Sequence, residues 1–496
     1  MATIAQEQRP PEPPLPPGPR RLPYLGNLLS LRQDPLGFFQ RLHQTYGGMA
    51  TLYLGKVPAI LLSRPEYVRY VLVEHPRNFS NRALLREGGD GGFASEGLLT
   101  IDGEKHRQQR RAVQPAFHKK RVESYATIVQ QYTQELLKNW HLGDTVDLSQ
   151  ALQELALRIV SKCLFSIDLS TQLAPLSKAF DGVIGSSTSM AEDLLNIRID
   201  NPITGYGRRM AAMRQLDMLI YTLIAQRRES PHEYDDVLAM LLTAETGDET
   251  AAQLSDKQIH DHILTFLAAG HETTAIALNW TFYLLSQYPQ VREKLQQELR
   301  TQLGERLPGV DDLAQLPYLD QVINEAMRLY PPAWMQMRFV SQECELDGVR
   351  LPVGTVLIMS QWVMHRLPEI WSDADVFKPE RWDPAQEQQI PPGAYFPFGG
   401  GPRTCIGMPL AQLEARLILA SILQSYIPQP VPGYTPELAP LITLRPKHHM
   451  HTTLLSATVS TDTSRPNRLM RVEELAAQQN AGRRGCLTAL LRLFGL

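Results

Sequence analysis

The chain has 496 residues, 43% of them apolar and 20% charged, with a formal net charge of −3. Length alone allows a large core and two to four domains, and the near balance of charge excludes the basic field of a nucleic-acid binder. Four scattered cysteines (Cys163, Cys344, Cys405, Cys486) form no CxxC or Cys/His cluster, which argues against a disulfide framework or structural zinc and for a reducing cytoplasm.

Residues 1–16 form a proline-rich leader, read as stiff polyproline-like chain or as a PxxP ligand. The opening stretch lacks the apolar core of a secretory signal, and no run of eighteen or more apolar residues follows. Alternating apolar residues predict strands in "GMATLYLGKVPAILLS" (48–63) and again in 349–366, while most of the rest has helical periodicity. "DGEKHRQQRRAVQPAFH" (102–118) puts His106 and Arg110 four residues apart on a basic helix face.

The longest predicted helix starts at a capping box, Ser255 with Gln258, and stops before Pro289. Apolar on most of its faces, it belongs in the middle of one large domain, so a single domain is expected over 17–455. Midway lies "AAGHETT" (268–274). Gly270 weakens the helix there, Thr273 can return its hydroxyl to a carbonyl one turn earlier, and Glu272 adds an ionisable group, which together read as a kink with a solvated face. "EAMR" places Glu325 and Arg328 on one face just before "YPP", a spacing that by itself denotes a surface ion pair.

"FPFGGGPRTCIGMPL" (396–410) sets one cysteine among glycines at the start of an apolar helix. Helix amides and dipole favour a thiolate there, bare glycines admit a flat ligand, and Arg403 is placed to meet an anionic group at that ligand's edge. A lone cysteine does not make a zinc or iron–sulfur site, whereas an axial thiolate on haem iron needs only one. Beyond residue 455 the chain becomes polar and basic: 456–496 carries six arginines against three acids. Its last residues group Leu487, Leu490, Leu491 and Phe494 on one face, for a membrane surface, for the body of the protein, or for no partner.

The cysteine segment matches F-x-x-G-x-R-x-C-x-G from Phe398 to Gly407, and in this the chain resembles the cytochrome P-450 superfamily. The resemblance covers roughly 17–455. It implies a mainly helical triangular prism with a small β lobe, haem b ligated through Cys405, and Phe398 and Gly407 beside the cofactor. It further implies haem propionates held by Arg403, Arg110 and Arg338, and by His106 where relatives usually carry tryptophan. "FKPERW" supplies Arg381 to a buried Glu325–Arg328–Arg381 triad that supports the loop. Ala269 to Thr274 match the oxygen-binding groove, with Thr273 bonding to dioxygen and Glu272 relaying protons.

The implied activity is insertion of one atom of O2 into a lipophilic small molecule. Electrons from NAD(P)H would come through a separate reductase and a ferredoxin or flavodoxin. Leu98, Leu99, Ala269, Ala333 and Met335 are expected to line the substrate pocket, or to be ordinary core. A cytoplasmic monomer follows, in contact with membrane at most through its tail. The rivals are an O2-independent haem-thiolate isomerase or dehydratase and a non-catalytic haem-binding protein.

Overall fold

The computed structural model describes residues 15–81, 94–168, 179–180, 200–229, 234–244 and 253–457. All but the last two residues of the leader, and all but the first two of the basic tail, lie outside them. Helices dominate, as expected, and the β structure is a small lobe built mostly on one five-stranded sheet. Its order is Met49–Leu54, Val57–Leu62, Val356–Met359, Gln336–Val340 and Phe79–Ser80. Val57–Leu62 pairs antiparallel with Met49–Leu54 (Met49 opposite Leu62) and parallel with Val356–Met359 (Ala59 opposite Val356). Two of the three inner strands are buried on both faces over Ala59–Leu62 and Val356–Met359, which is why they read as unbroken apolar runs. Gln336–Val340 joins antiparallel and carries Arg338 into the interior.

The expected strand over 349–366 divides. Val349–Leu351 and Val356–Met359 are strands, but Gln361–Met364 is a helical turn, because the Ser360 hydroxyl caps the Val363 amide.

The central helix runs from Asp256 to Gln287 with the capping box in place: the Ser255 amide donates to Gln258 Oε1 at 2.8 Å, and the Gln258 amide donates to Ser255 Oγ at 3.3 Å. At ~1.5 Å per residue it spans about 48 Å, buried along most of that length. Its far half is fixed by Trp280, whose indole N–H donates to the Leu444 carbonyl at 2.9 Å while the ring stacks on Tyr330.

No break in the helix appears at "AAGHETT". Gly270 has a different reason for being glycine: a Cβ there would lie 2.7 Å from Val160 Cγ2 on the helix Leu148–Phe165. Val160 is buried and β-branched, so it has little freedom to move aside. Close contact between two core helices, rather than a hinge, explains the residue.

Gly270→Ala is therefore expected to lower stability. Overpacking costs about 1–3 kcal/mol against up to ~1 kcal/mol recovered in helix propensity. Urea unfolding of Gly270→Ala, Val160→Ala and the double variant checks this, since relief of the collision makes the two losses less than additive.

Candidate active site

The cysteine loop is held by its own backbone and by one neighbour. The Cys405 amide donates to the Phe398 carbonyl at 2.9 Å, and the Thr404 amide to Gly401 at 3.0 Å. Gly401 has φ +63°, and a Cβ on it would sit 1.8 Å from the Leu72 carbonyl oxygen, so only glycine lets the loop dock there. Phe398 is half-buried against the main core. The helix Met408–Ser425 then begins, with the Met408 amide donating to the Cys405 carbonyl at 3.3 Å and the Gly407 and Met408 amides near the thiol. Burial pushes the thiol up, while those amides and Arg110 pull it the other way. A thiolate at this position therefore calls for a stronger partner, which a metal ion is.

Cys405 lies deep among protein atoms, yet its surface is accessible to solvent. Ala269 is likewise exposed in a stretch of central helix whose preceding turns are buried, and Thr273, one turn on, is half-buried. The Thr273 hydroxyl donates to the Ala269 carbonyl at 2.7 Å.

Around the loop the charge is one-sided. Arg110 donates to the Thr404 carbonyl at 2.8 Å. Arg403 donates to the Ile101 carbonyl at 2.5 Å and pairs with Asp102. Arg338 is buried and, among the described residues, bonds to the Met337 carbonyl and the Gln336 amide oxygen. Burial, with Arg403, lowers it to about 10. Burial, Arg403, Arg110 and Arg338 together pull His106 down to about 3, so its ring is neutral at physiological pH and keeps one N–H to give. Three guanidiniums and an imidazole thus converge, with Asp102 as a carboxylate paired to one of them, Arg403. This donor set fits haem, whose two propionates supply the missing negative charge and whose iron stabilises the thiolate.

The structure brings Glu325, Arg328 and Arg381 together. Arg328 binds Glu325 bidentately, 2.8 Å to each oxygen, with neither side chain exposed. Arg381 Nε donates to Glu325 at 3.1 Å. Trp382 Nε1 and the Lys378 amide, both absent from the sequence reading, add bonds of 3.1 and 3.0 Å. The other face of Arg328 holds the carbonyls of His365 and Ala374, each at 2.7 Å.

His365 is the link onward, since its Nε2 accepts the Phe396 amide at 3.2 Å, where the cysteine loop begins. Burial and two arginines keep His365 neutral, as an accepting nitrogen requires. Nothing local in the sequence points to His365, because its partners are 31 and 37 residues away.

Glu272 is placed elsewhere. It is buried, accepts the Thr443 hydroxyl at 2.7 Å and lies 3.9 Å from Arg445, on the side of the hairpin Leu438–Pro440/Leu444–Pro446. Successive residues turn by ~100° around a helix, so Glu272 and Thr273 do not share a face. Of the expected pocket residues, Leu98 is buried, Ala333 and Met335 are half-buried, and Leu99 is 64% exposed and unpacked.

A single cysteine among backbone amides, three arginines beside it and an exposed stretch of the central helix are an arrangement that suits a haem-thiolate protein. The chain belongs to the cytochrome P450 family, whose profile it matches over residues 16–452. It is 35% identical to cyclooctat-9-en-7-ol 5-monooxygenase of Streptomyces melanosporofaciens over 87% of this chain and 94% of that one. It is 34% identical to pentalenene oxygenase of Streptomyces avermitilis over 82% and 90%. Among solved structures it superposes on a cyanobacterial CYP120A1 with retinoic acid bound, at a TM-score of 0.78 and 29% identity, covering 89% of this chain and 99% of that one. It is accordingly a P450 oxidoreductase, of a family that uses haem and O2. Among the described residues no helix is long and apolar enough to cross a membrane.

Glu325→Gln breaks a buried ion pair and leaves Arg328 without its charge partner, a loss of ~3–5 kcal/mol. The expected result is lower Tm and poor haem retention, read as the ratio of Soret to protein absorbance in the purified variant.

Proposed function

We propose that the protein is a monooxygenase that inserts one oxygen atom of O2 into a cyclic terpene-like hydrocarbon or alcohol. Two electrons come from NAD(P)H through a separate reductase and a ferredoxin or flavodoxin. The observation that carries this reading is the combination of an accessible, amide-supported Cys405 with the open Ala269–Thr273 face of the central helix. The substrate class is supported by the apolar side chains Leu98, Ala269, Ala333 and Met335 and by the two Streptomyces relatives, whose names are those of terpenoid oxygenases.

When bound, haem supplies the iron at which dioxygen is activated and to which electrons are delivered. The chain's own residues do the rest. Cys405 ligates, with the Gly407 and Met408 amides dispersing charge on its sulfur. Arg110, Arg338, Arg403 and the neutral His106 would hold the propionates, with Arg403 also paired to Asp102. Thr273, its hydroxyl now satisfied by Ala269, has oxygen lone pairs to accept a bond, and on rotation a proton to give. Glu272 supplies protons to that face by side-chain rotation. Thr273 also weighs against an O2-independent isomerase, for which a hydroxyl at this position has no task.

The carbon-monoxide complex of the reduced protein should show the red-shifted Soret band of a thiolate ligand, lost in Cys405→Ser. With 18O-labelled dioxygen and a panel of cyclic terpenes and terpene alcohols, reconstituted turnover should place one labelled atom in product. Product without label would favour the isomerase or dehydratase reading instead.

A further inference from the structure

The helix Gly103–Val113 carries both His106 and Arg110, yet little apolar surface holds it in place. Of its fully buried residues, His106, Gln109 and Val113, only Val113 is apolar. His106, Gln109 and Arg110 stand at i, i+3 and i+4, so Gln109 shares one turn of the helix surface with the other two. Whatever fixes the rotation of this helix at Gln109 also fixes where His106 and Arg110 point. Arg110 itself bonds to the Thr404 carbonyl, but through a long side chain whose rotamers leave the rotation open.

Gln109 meets the central helix at His262. Gln109 Oε1 and His262 Nε2 are 2.8 Å apart, and neither residue is more than 1% exposed. Burial lowers His262 to about 4, so its ring is neutral and donates from Nε2 to the amide oxygen. The ring plane is set independently. It stacks on Phe266, centroids 6.2 Å apart at 21°, and Phe266 packs on Phe117 in the turn that follows the helix Gly103–Val113.

As a source of stability this pair is poor. It leaves Gln109 Nε2 and His262 Nδ1 buried with no partner among the described residues, and two such groups cost more than one bond returns. Two apolar side chains of the same shape would avoid that cost, but they would not fix direction. Apolar contact tolerates sliding, whereas a hydrogen bond is lost once its atoms drift to ~3.6 Å. A helix rotation of ~20° moves side-chain tips lying 5–6 Å from the axis by roughly 2 Å, which breaks it.

We propose that the His262–Gln109 bond sets the rotation of the helix Gly103–Val113 against the central helix, so that His262 and Gln109 are positioning residues for the hold of His106 and Arg110 on the cofactor's propionates. The proposal rests on the reading of His106 and Arg110 as propionate donors. With the bond in place, both side chains are aimed at one carboxylate edge. Without it the helix turns, the donors drift away, and the propionate charge is less compensated. Uncompensated negative charge near the iron favours the ferric state, so the midpoint potential falls and the cofactor is held less firmly.

The test uses the haem-loaded full chain. The variants are Gln109→Met with His262→Leu, Gln109→Met alone, the exchanged pair Gln109→His with His262→Gln, and Arg110→Leu. Tm, the rate of haem transfer to apomyoglobin and the midpoint potential of the haem-loaded fraction are measured for each. The apolar double variant should keep a Tm near that of the wild type, because both polar groups leave together. It should nevertheless release haem about fivefold faster, as loss of one directional bond predicts, and show a lower midpoint potential. The exchanged pair should restore both. If the double variant does not fold, Gln109→Met alone, close in shape but lacking the acceptor, carries the potential measurement.

A wild-type potential in the apolar variants, with that of Arg110→Leu lowered, would overturn the positioning role and leave the propionate reading standing. An unshifted Arg110→Leu would remove that reading and the proposal with it. An exchanged pair no better than the apolar one would overturn the proposal too, since shape rather than the bond would then set the helix.

Discussion

The carboxylate of Glu325 is the point on which the thiolate site depends. It has no contact with solvent, yet it receives both arms of Arg328, the Nε of Arg381, the indole of Trp382 and the amide of Lys378. A buried ion pair is poor value as stability, since desolvation offsets much of its attraction. Here it works as a registration device. The guanidiniums that satisfy Glu325 spend their remaining N–H groups on carbonyls of residues 365–376, a stretch with little regular structure of its own. Through His365 the order so imposed reaches Phe396 and the loop that presents Cys405.

The second constraint is electrostatic. Near the loop the protein concentrates Arg110, Arg338 and Arg403 around a neutral His106, with a thiol held up by burial close at hand. Alone, this is an arrangement of mutually repelling cations beside a sulfur reluctant to ionise. A cofactor with two carboxylates at its edge and a metal cation at its centre corrects both at once, because each charge it carries meets a group lacking that charge.

The central helix separates tasks by angle. Gly270 faces Val160 and lets two core helices touch; Ala269 and Thr273 border open space; Glu272 points toward Thr443 and Arg445. Four letters within five positions thus serve packing, an exposed stretch of helix and a buried polar network. Their order along the chain says little about which side each one serves until the neighbouring helices and the hairpin at 438–446 are in place.

The family, the predominantly helical fold, the cysteine loop and the extent of the central helix were legible in the amino-acid order. All of these rest on local signals: residues at fixed short spacing, a capping box, a proline stop. Those signals survive without knowledge of the rest of the chain because the physics behind them acts within one or two turns. The remainder depends on partners far apart along the chain. Arg403 pairs with Asp102, His365 receives Phe396, Gly270 is required by Val160, and Glu272 belongs with Thr443 and Arg445. The division follows from range: dihedral preference and hydrogen-bond spacing are written along the chain, whereas burial and the pairing of charges depend on which distant segments packing brings within a few ångströms.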